Sequence, residues 1–315
     1  MVGGGILRWN AGFECGEGML MLENGSSVYL VDEDGKSMLV PLTRKSSSFR
    51  LMLIPTVLKV PGFKCRVLFI GMEEVRPGKM VAYVGEPRDS FSEFEFTPLN
   101  LTTDVQQILG FRTSMTGFIF NSFGGNCTWQ YTVWLFGGQG AEKEINNDMH
   151  RLDLFHTNPK CRDDRKDSFS NRVSLMSIVG NQPSARVGSS AVTNEEELWI
   201  IGGMKHDNSL VSDAWAFNVL SMSWKPLNFG KEFPYGTGFG CVERLSSGTL
   251  LVYGGRQEIS SGFYAPKDIY VHEANGESVW LPAGRRAYHG CAILKSGTFL
   301  FTVGGMNDWN TTPSL

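Results

Sequence analysis

Four apolar segments of this chain each end on a pair of adjacent glycines. The segments are TVWLFGG, ELWIIGG, TLLVYGG and TFLFTVGG, with glycine pairs at 137–138, 202–203, 254–255 and 304–305. The spacings between successive pairs are 65, 52 and 50 residues. Because self-similarity at a period of roughly 20–50 residues is typical of repeat architectures, this feature constrains the fold more than any single motif.

Each glycine pair lies inside a longer repeated unit. Cys241 and Cys291 each stand 13 residues before a pair, followed by an apolar strand, a Ser-Gly-Thr turn and a second strand. Alternation with period two and frequent turn signals predict short β-strands. After three of the pairs a polar loop leads to an aspartate, expected to bind backbone at the start of a third strand. These aspartates are Asp148, Asp213 and Asp268.

The unit closes with a fourth strand, which carries Trp224 or Trp280 in the two clearest copies. A four-stranded antiparallel sheet recurring about every 50 residues is the blade of a β-propeller, so we predict an all-β fold. Both tryptophans are expected to pack within or between blades. Cys241 and Cys291 align with Ala191, a position for small residues.

The glycine pairs are expected to be structural. The second strand of a blade ends at a crowded rim, where the backbone must pack closely and turn with positive φ, and glycine does both without a Cβ clash. No phosphate-binding glycine motif accompanies the pairs. The structural set is Gly137, Gly138, Gly202, Gly203, Gly254, Gly255, Gly304, Gly305, Trp224 and Trp280.

As a set, these motifs resemble the kelch-repeat β-propellers. The matching residues are RVGSSAV from Arg186, RAYHGCAI from Arg286, the glycine pairs, NDMHRLDL and the fourth-strand tryptophans, over about residues 112–305. The first hundred residues depart from the pattern, with Phe96 in place of the tryptophan and a single glycine at Gly71.

The resemblance implies one propeller domain over residues 1–315, for which we expect six blades, five of them recognisable. The N-terminal strands are expected to complete the last blade, and residues 1–22 are left over. The expected blades cover 26–42 together with 286–305, 50–99, 112–176, 184–228 and 236–282.

Antiparallel connectivity places the start of each first strand and the loop after each glycine pair on one face of the ring. In kelch propellers this face is a frequent partner site, as the resemblance implies. Arginines there could bind carboxylates or phosphates in a bidentate manner, or they could pair with blade carbonyls and neighbouring acids. Loop cations and aromatics have the composition of protein-binding hot spots. The candidate partner-binding residues are Arg112, Arg186, Arg286, Arg256, Lys205, His206, Phe263, Tyr264 and Trp309.

Net charge and residue spacing exclude several classes of ligand. A net charge of −3 gives no electrostatic footprint for nucleic acid or for an anionic membrane. The six cysteines contain no CxxC pair, so we expect no metal site, and no cofactor is indicated. A disulfide scaffold is not expected in a chain this large and apolar. No secretory signal or transmembrane segment is recognised, and Asn-X-Ser/Thr sequons are taken as chance. We therefore expect a cytoplasmic monomer with reduced cysteines.

The function predicted from these patterns is that of a protein-interaction scaffold. The alternative is a small-molecule or sugar-binding propeller enzyme, of mutarotase or oxidase type, that uses the same channel mouth. The five histidines do not recur at matched positions of the units, so no metal or catalytic constellation is indicated and a non-catalytic module is favoured. A deep polar mouth with convergent acids and bases would favour the enzyme.

Overall fold

The structure is a computed structural model. It describes residues 11–15, 18–23, 27–32, 34, 36–42, 52–60, 65–73, 79–88, 91–99, 101–124, 128–157, 172–176, 178, 180–194, 197–230, 237–245, 247–259, 262–285, 287, 290–293 and 300–303.

The described residues form five four-stranded antiparallel sheets, each with its strands in chain order along the sheet. This confirms the all-β propeller class. We name the sheets blades A to E. Blade A comprises β1 Ala11–Cys15, β2 Gly18–Glu23, β3 Ser27–Val31 and β4 Ser37–Val40. Blade B comprises β5 Met52–Lys59, β6 Val67–Glu73, β7 Met80–Arg88 and β8 Glu93–Leu99. Blade C comprises β9 Thr116–Gly124, β10 Thr128–Phe136, β11 Met149–Thr157 and β12 Arg172–Leu175.

The remaining elements complete the ring. Blade D comprises β13 Ser190–Asn194, β14 Glu197–Ile201, β15 Ala214–Asn218 and β16 Ser223–Leu227. Blade E comprises β18 Cys241–Arg244, β19 Leu250–Tyr253, β22 Asp268–His272 and β23 Ser278–Pro282. A three-stranded sheet contains β17 Thr237–Gly238, β20 Arg256–Ile259 and β21 Gly262–Tyr264. A two-stranded sheet, which we name blade F, contains β24 Gly290–Ile293 and β25 Leu300–Val303.

Apolar clusters between neighbouring blades form the core. Because a blade buries both of its faces only against its neighbours, these clusters hold the ring together. Each of the four clusters contains residues of two successive sheets. Representative members are Val28 with Phe69, Ile70 with Leu152, Trp134 with Phe217, and Val192 with Tyr270.

The first strands of the blades lie side by side around the ring. In spatial order they are β5, β9, β13, β18, β24 and β1. Blade A is joined to blade B by an apolar cluster that includes Leu20 and Phe94. Blade F thus lies between blades E and A and closes the ring through β24 and β1.

The ring closes differently from the sequence prediction. The sequence predicts that residues 26–42 complete a blade with 286–305, but β3 and β4 pair in a sheet with β1 and β2 instead. The reason is local: β1 and β2 form a hairpin in which Cys15 opposes Gly18, so residues 11–40 supply four strands of their own. A complete sixth blade stays a prediction, since the described part of blade F has two strands.

The glycine pairs have the backbone that the sequence predicts. Gly137 and Gly138 have φ of 67° and 96°, and Gly202 and Gly203 have φ of 65° and 114°. A Cβ on Gly137 would lie 2.7 Å from the carbonyl oxygen of Arg186, at the start of the next blade. The glycines therefore permit positive φ and close approach of neighbouring blades. The pair at 304–305 lies outside the described residues.

Four cysteines are paired, contrary to the sequence prediction. Disulfides join Cys15 to Cys65 and Cys241 to Cys291, and each pair is separated by 50 residues. Each bond therefore connects neighbouring sheets, A with B and E with F. Since disulfides are typical of oxidising compartments, the cysteines give no support to a reducing one.

One helix precedes blade C. The helix α1, Thr103–Leu109, begins at the N-cap Thr102 and ends at Gly110. Within the part of the chain that the structure describes, no helix has the length and apolarity needed to cross a membrane.

Candidate partner-binding face

We define the loop face as the loops 137–148, 202–213 and 254–267 with the segments that open the first strands. The second strands of blades C, D and E end at this face and their third strands begin there. The sequence-predicted residues of these blades fall into two groups. Two arginines are bound inside the ring, whereas the others lie on the loops that follow the glycine pairs.

Arg186 is 1% exposed, and its guanidinium is bound within blade D. Its Nε donates to the Ser184 carbonyl at 2.9 Å and its Nη1 to the Gly202 carbonyl at 3.1 Å. Nη2 donates to Asp213 Oδ2 at 3.0 Å, and Nη1 pairs with Oδ1 of the same carboxylate. The sequence left two alternatives for Arg186, contact with a partner or pairing with blade carbonyls and a neighbouring acid. These contacts match the second. A side chain so enclosed offers no surface to a partner.

Arg112 occupies the equivalent position in blade C. It donates to the Gly137 carbonyl at 3.3 Å and forms a two-point ion pair with Asp148, with Nη2 at 2.8 Å from Oδ2. The sequence predicts that Asp148 and Asp213 bind backbone at the start of the third strand. Their side chains instead bind these arginines, because the preceding glycine turn brings the start of strand three beside the start of strand one.

The carboxylates of Asp148 and Asp213 differ in the second side chain that lies beside them. In blade D the indole Nε1 of Trp215 donates to Asp213 Oδ2 at 2.8 Å. Burial raises the pKa of Asp213, but the hydrogen bonds and charge of Arg186 outweigh it, so the pKa lies below its usual value. In blade C the imidazole of His150 lies 3.8 Å from Asp148. Burial lowers the pKa of His150 below its usual value; the Asp148 carboxylate opposes this shift, and the charge of Arg112 adds to it.

Glycine and arginine connect the two blades. The amide of Gly138 donates to the carbonyl of Arg186 at 3.3 Å, and the amide of Arg186 donates to the carbonyl of Asn146 at 3.2 Å. Arg186 thus binds the glycine turn of its own blade through its side chain and that of blade C through its backbone. Arg186 therefore stabilises the contact between blades C and D.

Lys205 and His206 lie in a tight turn of the blade D loop. The amide of Asn208 donates to the Lys205 carbonyl at 3.0 Å, and Asn208 has φ of 65°. His206 is exposed and Lys205 is half-buried. Two hydrogen bonds from Ser209 lower the pKa of the exposed Asp207 beside them. This turn presents both charge signs at the surface.

The segment predicted as the blade E loop is a β-hairpin. Strands β20 and β21 pair in the register Gln257 to Tyr264, and β17 adds to β20. Phe263 and Tyr264 lie on β21. Arg256 Nη1 lies 3.9 Å from the Met204 sulfur, so the hairpin base adjoins the turn that carries Lys205. The sequence carries little signal for this hairpin, because RQEI and GFY do not alternate between polar and apolar residues.

Two predicted residues are outside the described part of the chain. These are Arg286 and Trp309, which stay predictions. Of the structural set, Trp224 is buried against Phe136 and Phe217, as predicted. Trp280 differs from the prediction of a packed side chain, since it is 42% exposed. Among the described ring contacts, it packs edge-to-face on Tyr270.

Two other features have a composition that could suit a ligand. Cys241, Glu243 and Cys291 hold their ligand atoms within 4.8 Å of one another, but both sulfurs are in a disulfide and cannot bind a metal as thiolates. A groove of about 660 Å³ is lined by Phe229, Glu273 and Glu277, among others. It adjoins the turn between β22 and β23, at the opposite end of blade E from the loop face.

Comparison with known proteins supports the repeat and the fold. The family model for the KLHDC2/KLHL20/DRC7 Kelch-repeats domain matches residues 112–305. A solved structure described as "Structure of YjhT" is similar in fold, with a TM-score of 0.58 and 12% sequence identity, over 98% of this chain and 93% of that chain. No curated protein matches the sequence.

Proposed function

We propose, since the chain belongs to the kelch-repeat β-propeller family, that it is a protein-interaction scaffold whose partner docks on the loop face. A propeller suits this role because its blades hold loops from several repeats on one rigid face.

The observation that carries the proposal is the hairpin of β20 and β21. It extends the loop after Gly254 and Gly255 into a sheet of three strands, separate from the blade sheets. A loop already ordered by backbone hydrogen bonds loses less conformational entropy on binding than a flexible one. Phe263 and Tyr264 lie on its second strand, and aromatic residues dominate protein-binding hot spots.

The turn of blade D adds charge beside the hairpin. Lys205 and His206 follow Met204, which the side chain of Arg256 contacts. The proposed contact surface is therefore centred on the loops of blades D and E, with Lys205, His206, Arg256, Phe263 and Tyr264. Arg112 and Arg186 support it from below as ion pairs of the ring.

The small-molecule alternative has no specific support from the described residues. Two of the arginines predicted to line the mouth, Arg112 and Arg186, bind Asp148 and Asp213, and the groove of about 660 Å³ lies at the other end of blade E.

The test is an affinity capture with cross-linking and quantitative mass spectrometry on three forms of the chain. These are the wild type, a Phe263→Ala, Tyr264→Ala double variant, and Leu220→Ala as the control. Leu220 is 68% exposed in the turn between β15 and β16, on the opposite face. We expect a captured protein whose recovery falls about tenfold with the double variant and is unchanged with the control. Equal recovery with all three forms, from variants with wild-type circular dichroism, would refute the proposal.

A further inference from the structure

The disulfide between Cys241 and Cys291 has a carboxylate beside it. Cys241 and Glu243 are two residues apart on β18, and side chains two residues apart lie on the same face of a strand. Cys291 lies on β24, and its bond to Cys241 shows that this face of β18 is turned towards blade F. The two sulfurs and a carboxylate oxygen of Glu243 lie within 4.8 Å of one another. Three side chains that can bind a metal therefore meet between blades E and F.

These three residues come from two different repeats. Cys241 and Cys291 are separated by 50 residues, whereas the zinc motifs that can be recognised in a sequence contain ligand pairs a few residues apart. The expectation of no metal site depended on the absence of such pairs. The contact between the first strands of blades E and F is what brings the ligands together.

Reduction of this disulfide places two thiols beside the carboxylate. A dithiol reductant transfers two electrons and two protons to the pair and becomes a disulfide itself, so the bond between the two sulfurs is replaced by two S–H groups. Ionisation of both thiols beside Glu243 would bring three negative charges together, which disfavour one another unless a cation lies between them. A divalent cation that displaces both thiol protons removes this repulsion.

We propose that Cys241, Glu243 and Cys291 bind one zinc ion when the disulfide is reduced. Zinc binds thiolate sulfur at about 2.3 Å and carboxylate oxygen at about 2.0–2.2 Å in tetrahedral geometry, so its ligand atoms are about 3.5–3.8 Å apart. The Cα atoms of the two cysteines are 6.1 Å apart, which lets both sulfurs reach that separation by rotation of their side chains. Thiolate ligands favour zinc over magnesium and calcium, which prefer oxygen. The fourth position of the tetrahedron is left for water.

The zinc ion replaces the covalent link between blades E and F. Disulfides persist in oxidising compartments, whereas cysteines in reducing compartments more often bind metal. The same residues thus join β18 to β24 in either environment. Cys291 is 6% exposed, whereas Cys241 and Glu243 are half-buried, so the cluster is accessible to an ion from one side.

The other disulfide provides a matched control. Cys15 and Cys65 also join two neighbouring sheets and are also separated by 50 residues. Among the described residues, they form no such cluster with a carboxylate or an imidazole. Two thiolates are too few ligands for a zinc site, so we expect no zinc binding from this pair.

The experiment measures zinc binding to the oxidised and the reduced 315-residue chain by competition with a chromophoric zinc chelator. The dithiol reductant is removed by gel filtration without oxygen before zinc is added, because dithiols bind zinc themselves. We expect reduction to add one equivalent of bound zinc, which the Cys15→Ala, Cys65→Ala variant keeps and Cys241→Ser loses. Glu243→Gln should weaken this binding at least about tenfold. X-ray absorption at the zinc edge should show two sulfur ligands at about 2.3 Å.

Three results would overturn the proposal. They are equal zinc binding before and after reduction, equal binding by the reduced wild type and Cys241→Ser, and full affinity in Glu243→Gln. If circular dichroism shows that reduction unfolds the chain, zinc should restore the folded spectrum of the wild type but not that of Cys241→Ser, and no recovery with zinc would also overturn the proposal. The site includes neither Phe263 nor Tyr264 and does not rest on the loop-face proposal, so failure of one leaves the other standing.

Discussion

Replacing Arg186 with alanine tests whether the repeated arginine holds the ring together or contacts a partner. The side chain is completely buried and forms hydrogen bonds with Ser184, Gly202 and Asp213. The substitution removes all of these bonds and leaves a void beside the glycine turn.

The magnitude follows from the two sides of the ion pair. Removing one partner of a buried pair costs about 3–5 kcal/mol, mostly because the other charge is left unpaired. The Asp213 side chain is 44% exposed, so water can solvate its charge and the cost lies at the lower end. The Gly202 carbonyl is buried and loses one of its two donors, since the Ser189 hydroxyl still donates to it at 3.0 Å. We therefore expect Arg186→Ala to lower the free energy of unfolding by about 3 kcal/mol.

The assay is equilibrium unfolding in urea, followed by tryptophan fluorescence. Arg151→Ala is the matched control, because Arg151 also pairs with an aspartate, Asp153, but its side chain is 41% exposed. Its loss should cost less than about 1 kcal/mol. If Arg186→Ala unfolds within ~0.5 kcal/mol of the wild type and loses a captured partner, the buried-pair reasoning is refuted and Arg186 is a contact residue.

Three further predictions concern the glycine turns, the acid side of stability and the disulfides. Gly203→Ala should lower the free energy of unfolding by about 2 kcal/mol or more, because φ at Gly203 is 114° and a Cβ there would lie 2.6 Å from Ser189 Oγ. The control is Gly230→Ala, which should cost about 1 kcal/mol because φ is also positive but the space around it is open. The midpoints of urea unfolding measure both changes. The pKa of Asp213 is lower in the folded chain than in the unfolded chain. The stability that its ion pair contributes is therefore complete above the unfolded pKa of about 4, and it is lost as the pH falls through the folded pKa. Asp213→Asn should therefore lie below the wild type in melting temperature at neutral pH and approach it in acid; a constant difference would contradict this. Peptide mapping without reductant should recover a peptide in which Cys15 is joined to Cys65. The Cys15→Ala, Cys65→Ala double variant should have a lower melting temperature, because removing a disulfide that closes a loop of 50 residues costs about 4 kcal/mol in the chain-entropy model.

The period of the glycine pairs is sufficient to predict the blade. It specifies a four-strand unit, and the positive φ of Gly137 and Gly202 follows from where the second strand must end. The helix α1 is missed, although Thr102 and Gly110 are ordinary start and stop signals, because a seven-residue helix has little periodicity to detect.

Burial and pairing between blades cannot be read from the repeat. An arginine at the start of a strand looks exposed in sequence, and only the turn geometry brings Arg112 to Asp148 and Arg186 to Asp213. One signal for this pairing is present in the sequence, because both the arginine and the aspartate recur in the repeats of blades C and D. The disulfides depend likewise on which sheets become neighbours, since each links positions 50 residues apart along the chain.

The same geometry explains how blade F closes the ring at its centre. A propeller loses its exposed end faces as soon as first strands meet around the whole ring, and β24 meets both β18 and β1. The disulfide from Cys241 to Cys291 fixes this inner contact covalently. Leu39 on blade A is 60% exposed and Leu281 on blade E is 46% exposed, whereas Trp224 on blade D is buried. Among the described residues, contacts between first strands together with this disulfide therefore close the ring.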